Sequence, residues 1–430
     1  MGIYDYEAAF GAADMTGQAM RTALRQWQQL YYGAGQEDED PSQRIAYTVV
    51  EKLARAVFGE FRVSVTDTST GGLMTALEQL RPLAFSHTLV EGECYIKPCP
   101  GKGGFRFLAV PRHNVLVFAR DSSGMPTDIG TAERSFQDNQ YYTLLERRTV
   151  DKDGYLTIRN RLYRSVNPEQ LGRQVPLKTH PAYAALASDF RYPEPVGLGL
   201  VRVRTPMLNC VDGSQEGVSV YAAAAELIRN INRNEAQLNG EFERGQSRVF
   251  ASRDLLTDQG LTDNLFVGLD EDPQSVGLTV YSPHLREQSY LARKQEYLRN
   301  VESLVGLRRG MLADANLEDR TATEIASSMA DFNLTVLQLQ RMWQQAVTDV
   351  MSLCQVLARL YGLPVPQQMP ALEWGNGVLY DEAAQWAQHL LLVDKGLLKP
   401  ELALGWRFGM KTDTDGDLAA VRAKLMPVNN

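Results

Sequence analysis

TATEIASSMADFNLTVLQLQRMWQQAVTDVMSLCQVLARLYG, residues 321–362, carries the strongest periodic signal in the chain. Ile325, Met329, Phe332, Val336, Leu339, Trp343, Ala346, Val350, Leu353, Leu357 and Leu360 step by alternating fours and threes. That is a heptad-like stripe over about five heptads, on a helix roughly 60 Å long at about 1.5 Å per residue. Thr321-Ala322-Thr323-Glu324 matches a capping box, in which hydroxyl and carboxylate satisfy free amides, and Gly362 before Pro364 stops the run. A two-stranded coiled coil competes with a helix seated in a mixed core, and Phe332 and Trp343 in the seam favour the mixed core.

Working outward, Leu285–Leu304 reads as a charged helix and Val218–Ser247 as one long polar helix. Between them, Val249–Pro283 forms a compact insert, with strands at Phe266–Leu269 and Leu278–Tyr281 and a turn region at Asp270-Glu271-Asp272-Pro273. The Val218–Ser247 helix is too polar to be buried all round and too long to stand on propensity alone, so packing between copies of the chain is expected to support it. From about Arg62 to Arg164 the period is two, with short β-rich runs at Tyr95–Lys97, Phe105–Phe107 and Val115–Phe118. Asp153-Gly154 predicts a hairpin between Leu144–Val150 and Tyr155–Tyr163. Helices are expected at 14–33 and over Ser42–Phe58, parted by the acidic tract Glu37–Asp40 and Pro41. After the Pro-rich linker come short helices at Asp381–Asp394, Pro400–Arg407 and Asp417–Leu425. The fold class expected is α+β.

Composition excludes several function classes. At 44% apolar and 22% charged, 430 residues suffice for two or three packed domains. No run approaches the ~20 apolar residues of a membrane span, and Met1–Glu7 lacks the basic-then-apolar pattern of a signal peptide, so no membrane contact and a cytosolic origin are expected. A net charge of −8 argues against tight binding to phosphates. Cys94, Cys99, Cys210 and Cys354 form no zinc spacing. Pro100–Gly104 lacks the phosphate-loop spacing, and Asp413, Asp415, Gly416 and Asp417 fit a helix-capping turn better than a calcium loop. His87, His113, His180, His284 and His389 are scattered. Neither catalysis nor a cofactor is expected.

The order of parts resembles that of tailed-bacteriophage portal proteins, the siphophage portal or minor capsid protein type. The resemblance rests on Gly217-Val218-Ser219-Val220-Tyr221-Ala222, Glu241-Phe242, Arg248-Val249-Phe250, Val305-Gly306-Leu307, Arg320-Thr321-Ala322-Thr323-Glu324-Ile325, and Asp381-Glu382 with Gly396-Leu397-Leu398 and Trp406. These words run in order through most of residues 42–425, and the chain is short for the family in its insert and tail. The resemblance implies a wing over 1–217, a stem helix over 218–248, a clip over 249–284 and a second stem helix over 285–307. It further implies a tunnel loop over 308–320, a long spine helix over 321–362 and a helical crown over 363–430. It implies a ring of about twelve copies at one vertex of a phage head, which passes double-stranded DNA without sequence specificity. The partners it implies are the terminase large subunit, a head–tail adaptor and a major capsid or scaffolding protein. The protein would then reside in the virion, and in the host cytoplasm during assembly. Arg308, Arg309, Met311, Asp314, Asn316 and Arg320 would face the DNA, and Asp270, Glu271 and Asp272 the adaptor. The loop's middle is small, flexible and poor in positive charge, and a negative ring keeps DNA centred and mobile. A non-portal capsid scaffold or adaptor, or a nucleic-acid-processing enzyme, is the alternative.

Overall fold

The computed structural model describes residues 3–33, 41–101, 103–245, 248–252, 266–269, 278–281, 284–314, 322–374, 382–412 and 414–426, with backbone alone in 3–4, 248–281, 322–328 and 382–385. It is a mixed α+β chain in two units, residues 1–54 with 65–371, and residues 55–64 with 372–430.

The first unit opens with α1 (Glu7–Phe10), α2 (Gln18–Tyr32) and α3 (Ile45–Phe58), the last ending in the other unit. Met20, Leu24, Trp27 and Leu30 are buried on α2, as their spacing predicts. After β1 (Arg62–Ser64), the chain does not go straight into a sheet. It forms α4 (Thr68–Glu91), a 24-residue helix capped by the Asp67 carboxylate, which accepts from the Thr70 amide at 2.8 Å. This corrects the expectation of a period-two region over Arg62–Arg164. Gly71-Gly72 and Pro82 read as breakers, and burial on more than one side of α4 leaves no clean stripe to find.

The strands follow: β2 (Glu93–Gly101), β3 (Gly104–Pro111), β4 (Val115–Arg120), β5 (Pro126–Gln137), β6 (Gln140–Val150), β7 (Tyr155–Ser165), β8 (Arg173–Val175), β9 (Asp189–Pro195) and β10 (Val201–Arg204). They make a three-stranded sheet, β10-β2-β3, and a six-stranded antiparallel sheet, β4-β5-β6-β7-β8 with β9 also on β7. The expected β6–β7 hairpin is present and longer than its signal, closing at Gly154 with φ +86°. Leu144 packs with Tyr142, Leu162 and Tyr183, while its neighbour Leu145 packs with Tyr6, Phe10 and Leu116. Successive strand residues point to opposite faces, so both faces of this sheet are covered and polar alternation is lost.

Helix α5 runs over Ala225–Arg244, not from Val218. Gly217–Tyr221 instead crosses the end of α4 as a buried strap. The Ser219 hydroxyl and the Val220 amide both donate to Leu89 O, and Tyr221 OH donates to Trp27 O at 2.8 Å. Gly217 and Gly92 touch backbone to backbone, since a Cβ on Gly92 would lie 2.3 Å from Gly217 C. Each residue of the strap is therefore held by tertiary contacts rather than by a helical turn.

Among its described residues the insert has three strands, β11 (Arg248–Ser252), β12 (Phe266–Leu269) and β13 (Leu278–Tyr281). β11 lies between the other two, parallel to β12 and antiparallel to β13, so the two expected strands do not form a simple hairpin. Helix α6 (Glu287–Val305) then returns antiparallel to α5. Arg286 bonds Glu241 at 2.8 Å and Lys294 bonds Glu235 at 2.8 Å, pairing the end of one helix with the start of the other.

Helix α7 (Ala322–Tyr361) packs on β10 and β2. Phe332, Val336, Leu339, Trp343, Ala346, Val350 and Leu357 are buried as the stripe predicts, joined by a second row of Val347, Met351, Cys354 and Ala358. That band is wider than a coiled-coil seam, which agrees with the mixed core. The expected box at Thr321 and Glu324 lies outside the described side chains.

In the second unit β1 pairs with β14 (Ala371–Glu373), and Trp374 sits 4.6 Å from the Phe61 ring. The tail of α8 (Glu382–Asp394), α9 (Pro400–Phe408) and α10 (Asp415–Leu425) thus shares its unit with a small sheet. Thr414 and Asp417 form a capping box at the start of α10, and Arg422 binds Glu401 of α9.

Candidate functional site

The segment after α6 is a built structure. Gly306 caps the helix at φ +74°, and a Cβ there would lie 2.3 Å from Thr335 Oγ1 of α7, so only glycine fits. The chain then reverses and runs back along α6. The wholly buried Glu302 carboxylate accepts from Gly310 N at 3.1 Å, Leu312 N at 2.5 Å and Ala313 N at 2.9 Å. One step further, Asp314 N donates to Gln295 Oε1 and Gln295 Nε2 donates to Asp314 Oδ2, both at 2.8 Å. The limb expected to be flexible is tied down by its Gly310, Leu312, Ala313 and Asp314 amides, the first three converging on one carboxylate.

Of the residues singled out for DNA contact, Arg308 and Arg309 are exposed side by side at the reversal, Met311 is half-buried and Asp314 is exposed but held by Gln295. Asn316 and Arg320 lie outside the described residues, as do Asp270, Glu271 and Asp272. The structure adds Glu302 and Gln295, which sequence reading missed. The signal was available: Leu298, Val301 and Val305 form the buried face of α6, and Glu302 sits on that face as a lone carboxylate. A buried carboxylate needs partners, and here backbone amides supply them.

A second constellation is electrostatic. Arg202 binds Glu93, Arg112 Nη2 lies 3.3 Å from Glu216 Oε2, and Arg120 Nη2 lies 2.8 Å from Glu216 Oε1, all on side chains at most 15% exposed. Burial works against ionisation of Glu93, but Arg202, then Arg112 and the Gly217 amide, outweigh it and hold its pKa at about 2. Burial likewise opposes ionisation of Glu146, and Arg148 and Lys97 bring it to about 2. Carboxylates held this low are poor proton acceptors at neutral pH, and burial pushes the Cys94 and Cys354 thiols up and away from thiolate. These groups bind strands and loops together. Among the described residues no cluster of His, Cys, Asp and Glu is arranged to hold a metal ion, and no helix is long and apolar enough to cross a membrane. An open cleft of about 410 Å³ lies between the sheet region and α7, lined by Met125, Leu198, Leu200, Arg202, Asp349 and Leu353. Arg202 is already engaged by Glu93 there.

Comparison with protein-family models and with curated proteins gives no match for this chain.

Proposed function

We propose that this chain is a subunit of a phage portal, a ring that passes double-stranded DNA into and out of a viral head. The observation that carries the reading is the antiparallel pair α5 and α6. It bears a three-stranded insert at one end and, at the other, a fixed turn presenting Arg308 and Arg309 before the 40-residue helix α7. Outward side chains of the pair are charged, with Glu226, Arg233, Arg286 and Glu296 all about 60% exposed or more. Helices of this kind suit side-by-side packing in a closed ring, where each copy supplies both partners.

In this reading Arg308 and Arg309 make brief, sequence-independent contacts with phosphates, while a net charge of −8 per chain keeps the duplex from adhering. The protein does no chemistry; a terminase supplies the ATP-driven force. The clip function of Asp270, Glu271 and Asp272, docking to terminase and later to a head–tail adaptor, belongs to the same proposal. So do the wing, stem, spine and crown roles and the location in the virion.

Negative-stain microscopy of the purified protein tests it. Rings of about twelve subunits with an axial hole are expected, and a stable monomer at micromolar concentration with its capsid partners present refutes it. Replacing Arg308 and Arg309 with Gln should leave rings intact and lower the DNA protected from nuclease inside assembled heads. Deleting Met311–Leu317 is the cruder test, because it also strips the Leu312 and Ala313 amides from Glu302.

A further inference from the structure

Three convergent amides are the usual makings of a binding site for an outside anion. At the base of the loop after α6 the chain fills that concavity with its own Glu302. Gln295 and Glu302 are seven residues apart, two helical turns, and so lie on one face of α6. Together they hold the returning limb along the last three turns of the helix. Arg308 and Arg309 are the two residues between the Leu307 amide, which donates to Glu302 O at 2.8 Å, and the Gly310 amide, which donates to the Glu302 carboxylate. The same residue thus grips the chain on both sides of the exposed arginine pair.

We propose that Glu302, assisted by Gln295, is the positioning residue of this loop. It makes Arg308–Asp314 a rigid extension of α6, so that a displacement of α6 carries the two arginines with it. Bonds from amides to a carboxylate are roughly twice as strong as neutral ones, and here they are shielded from water, so the limb moves with α6 rather than independently. The structural half of the proposal stands alone. Its consequence for DNA rests on the portal reading given above.

Hydrogen exchange on the full-length protein separates the two halves. Glu302→Gln keeps the shape but turns an amide group toward donors. We expect the Gly310, Leu312 and Ala313 amides to exchange at least tenfold faster, with α5 and the six-stranded sheet unchanged. Exchange within twofold of the parent protein overturns the proposal, as does equal acceleration throughout the molecule. Gln295→Ala, a milder change at a half-buried site, should free the Asp314 amide while leaving the Glu302 bonds in place. In heads assembled with Glu302→Gln, normal ring numbers with several-fold less protected DNA are expected. Full protection despite a loosened limb overturns the coupling to DNA. If the parent protein forms no ring, the portal reading fails and the exchange result still decides the structural half.

Discussion

Helix α7 keeps its two sides apart: Trp343, Val350 and Met351 are buried while Leu334, Leu337 and Arg341 face outward. Helix α4 meets it where the Phe85 ring stands edge-on, 6.0 Å from Trp343, and follows the opposite plan. Ala84 and Phe85 are buried, and then Thr88, Leu89, Val90 and Glu91 in unbroken succession. Sheet strands β2 and β3 cover one part of α4, α2 another, and the Gly217–Tyr221 strap closes its end. Two neighbouring helices of one core therefore owe their stability to different things. α7 is held by a continuous apolar band, and α4 by enclosure, with its polar groups satisfied by neighbours. Thr88 donates to Ala84 O, and Glu91 accepts from Gln28 and His113.

If that contrast is right, the largest loss should come from the contact the two helices share. Trp343→Ala should cost roughly 3–5 kcal/mol, since the indole is wholly buried and its cavity cannot close against a sheet. Unchanged thermal melting would place the stripe of α7 in solvent or against a partner.

The buried ion pairs of the sheets should instead be sensitive to acid. Glu93 and Glu146 have folded pKa values of about 2 against an ordinary 4.5. Their stabilisation is therefore complete above about pH 4.5 and is lost as pH falls toward 2. Each contributes on the order of 3 kcal/mol. Denaturant titrations from pH 6 to pH 2 should show stability falling in that window, and Glu93→Gln should flatten the fall.

At the junction of α6 with α7, Gly306→Ala should cost roughly 1–3 kcal/mol through the positive φ and the clash with Thr335. Thr335→Ser should leave it just as costly, because the hydroxyl remains. The smallest effect belongs to Pro82, exposed within α4. Pro82→Ala restores a helical donor and should raise stability by about 1 kcal/mol or less, the stiffer unfolded chain of the proline offsetting most of the gain. A decrease would mean that α4 depends on the proline to enter its enclosure.

The amphipathic elements were legible because one face met the core and the other met water. The stripe of α7, the Met20–Leu30 face of α2 and the Asp153-Gly154 turn each left a local mark, and the α+β class follows from them. The break after α6 was legible, but the hold on its first residues was not, because nothing in Gly310, Leu312 or Ala313 signals where their amides point.

What residues 321–362 determined alone was a long helix with one buried side, since a 3.6-residue repeat fixes which side chains share a face. The sequence also supplied the carboxylates of Glu93, Glu146 and Glu302. Only tertiary structure decided what became of them: Arg202 and Arg112 for the first, Lys97 and Arg148 for the second, three amides for the third. It likewise decided that Gly217–Tyr221 is a strap and not a first helical turn. Partners such as Gly92 and Leu89 come from more than a hundred residues away, and such contacts leave no periodic trace in the strand of chain that makes them.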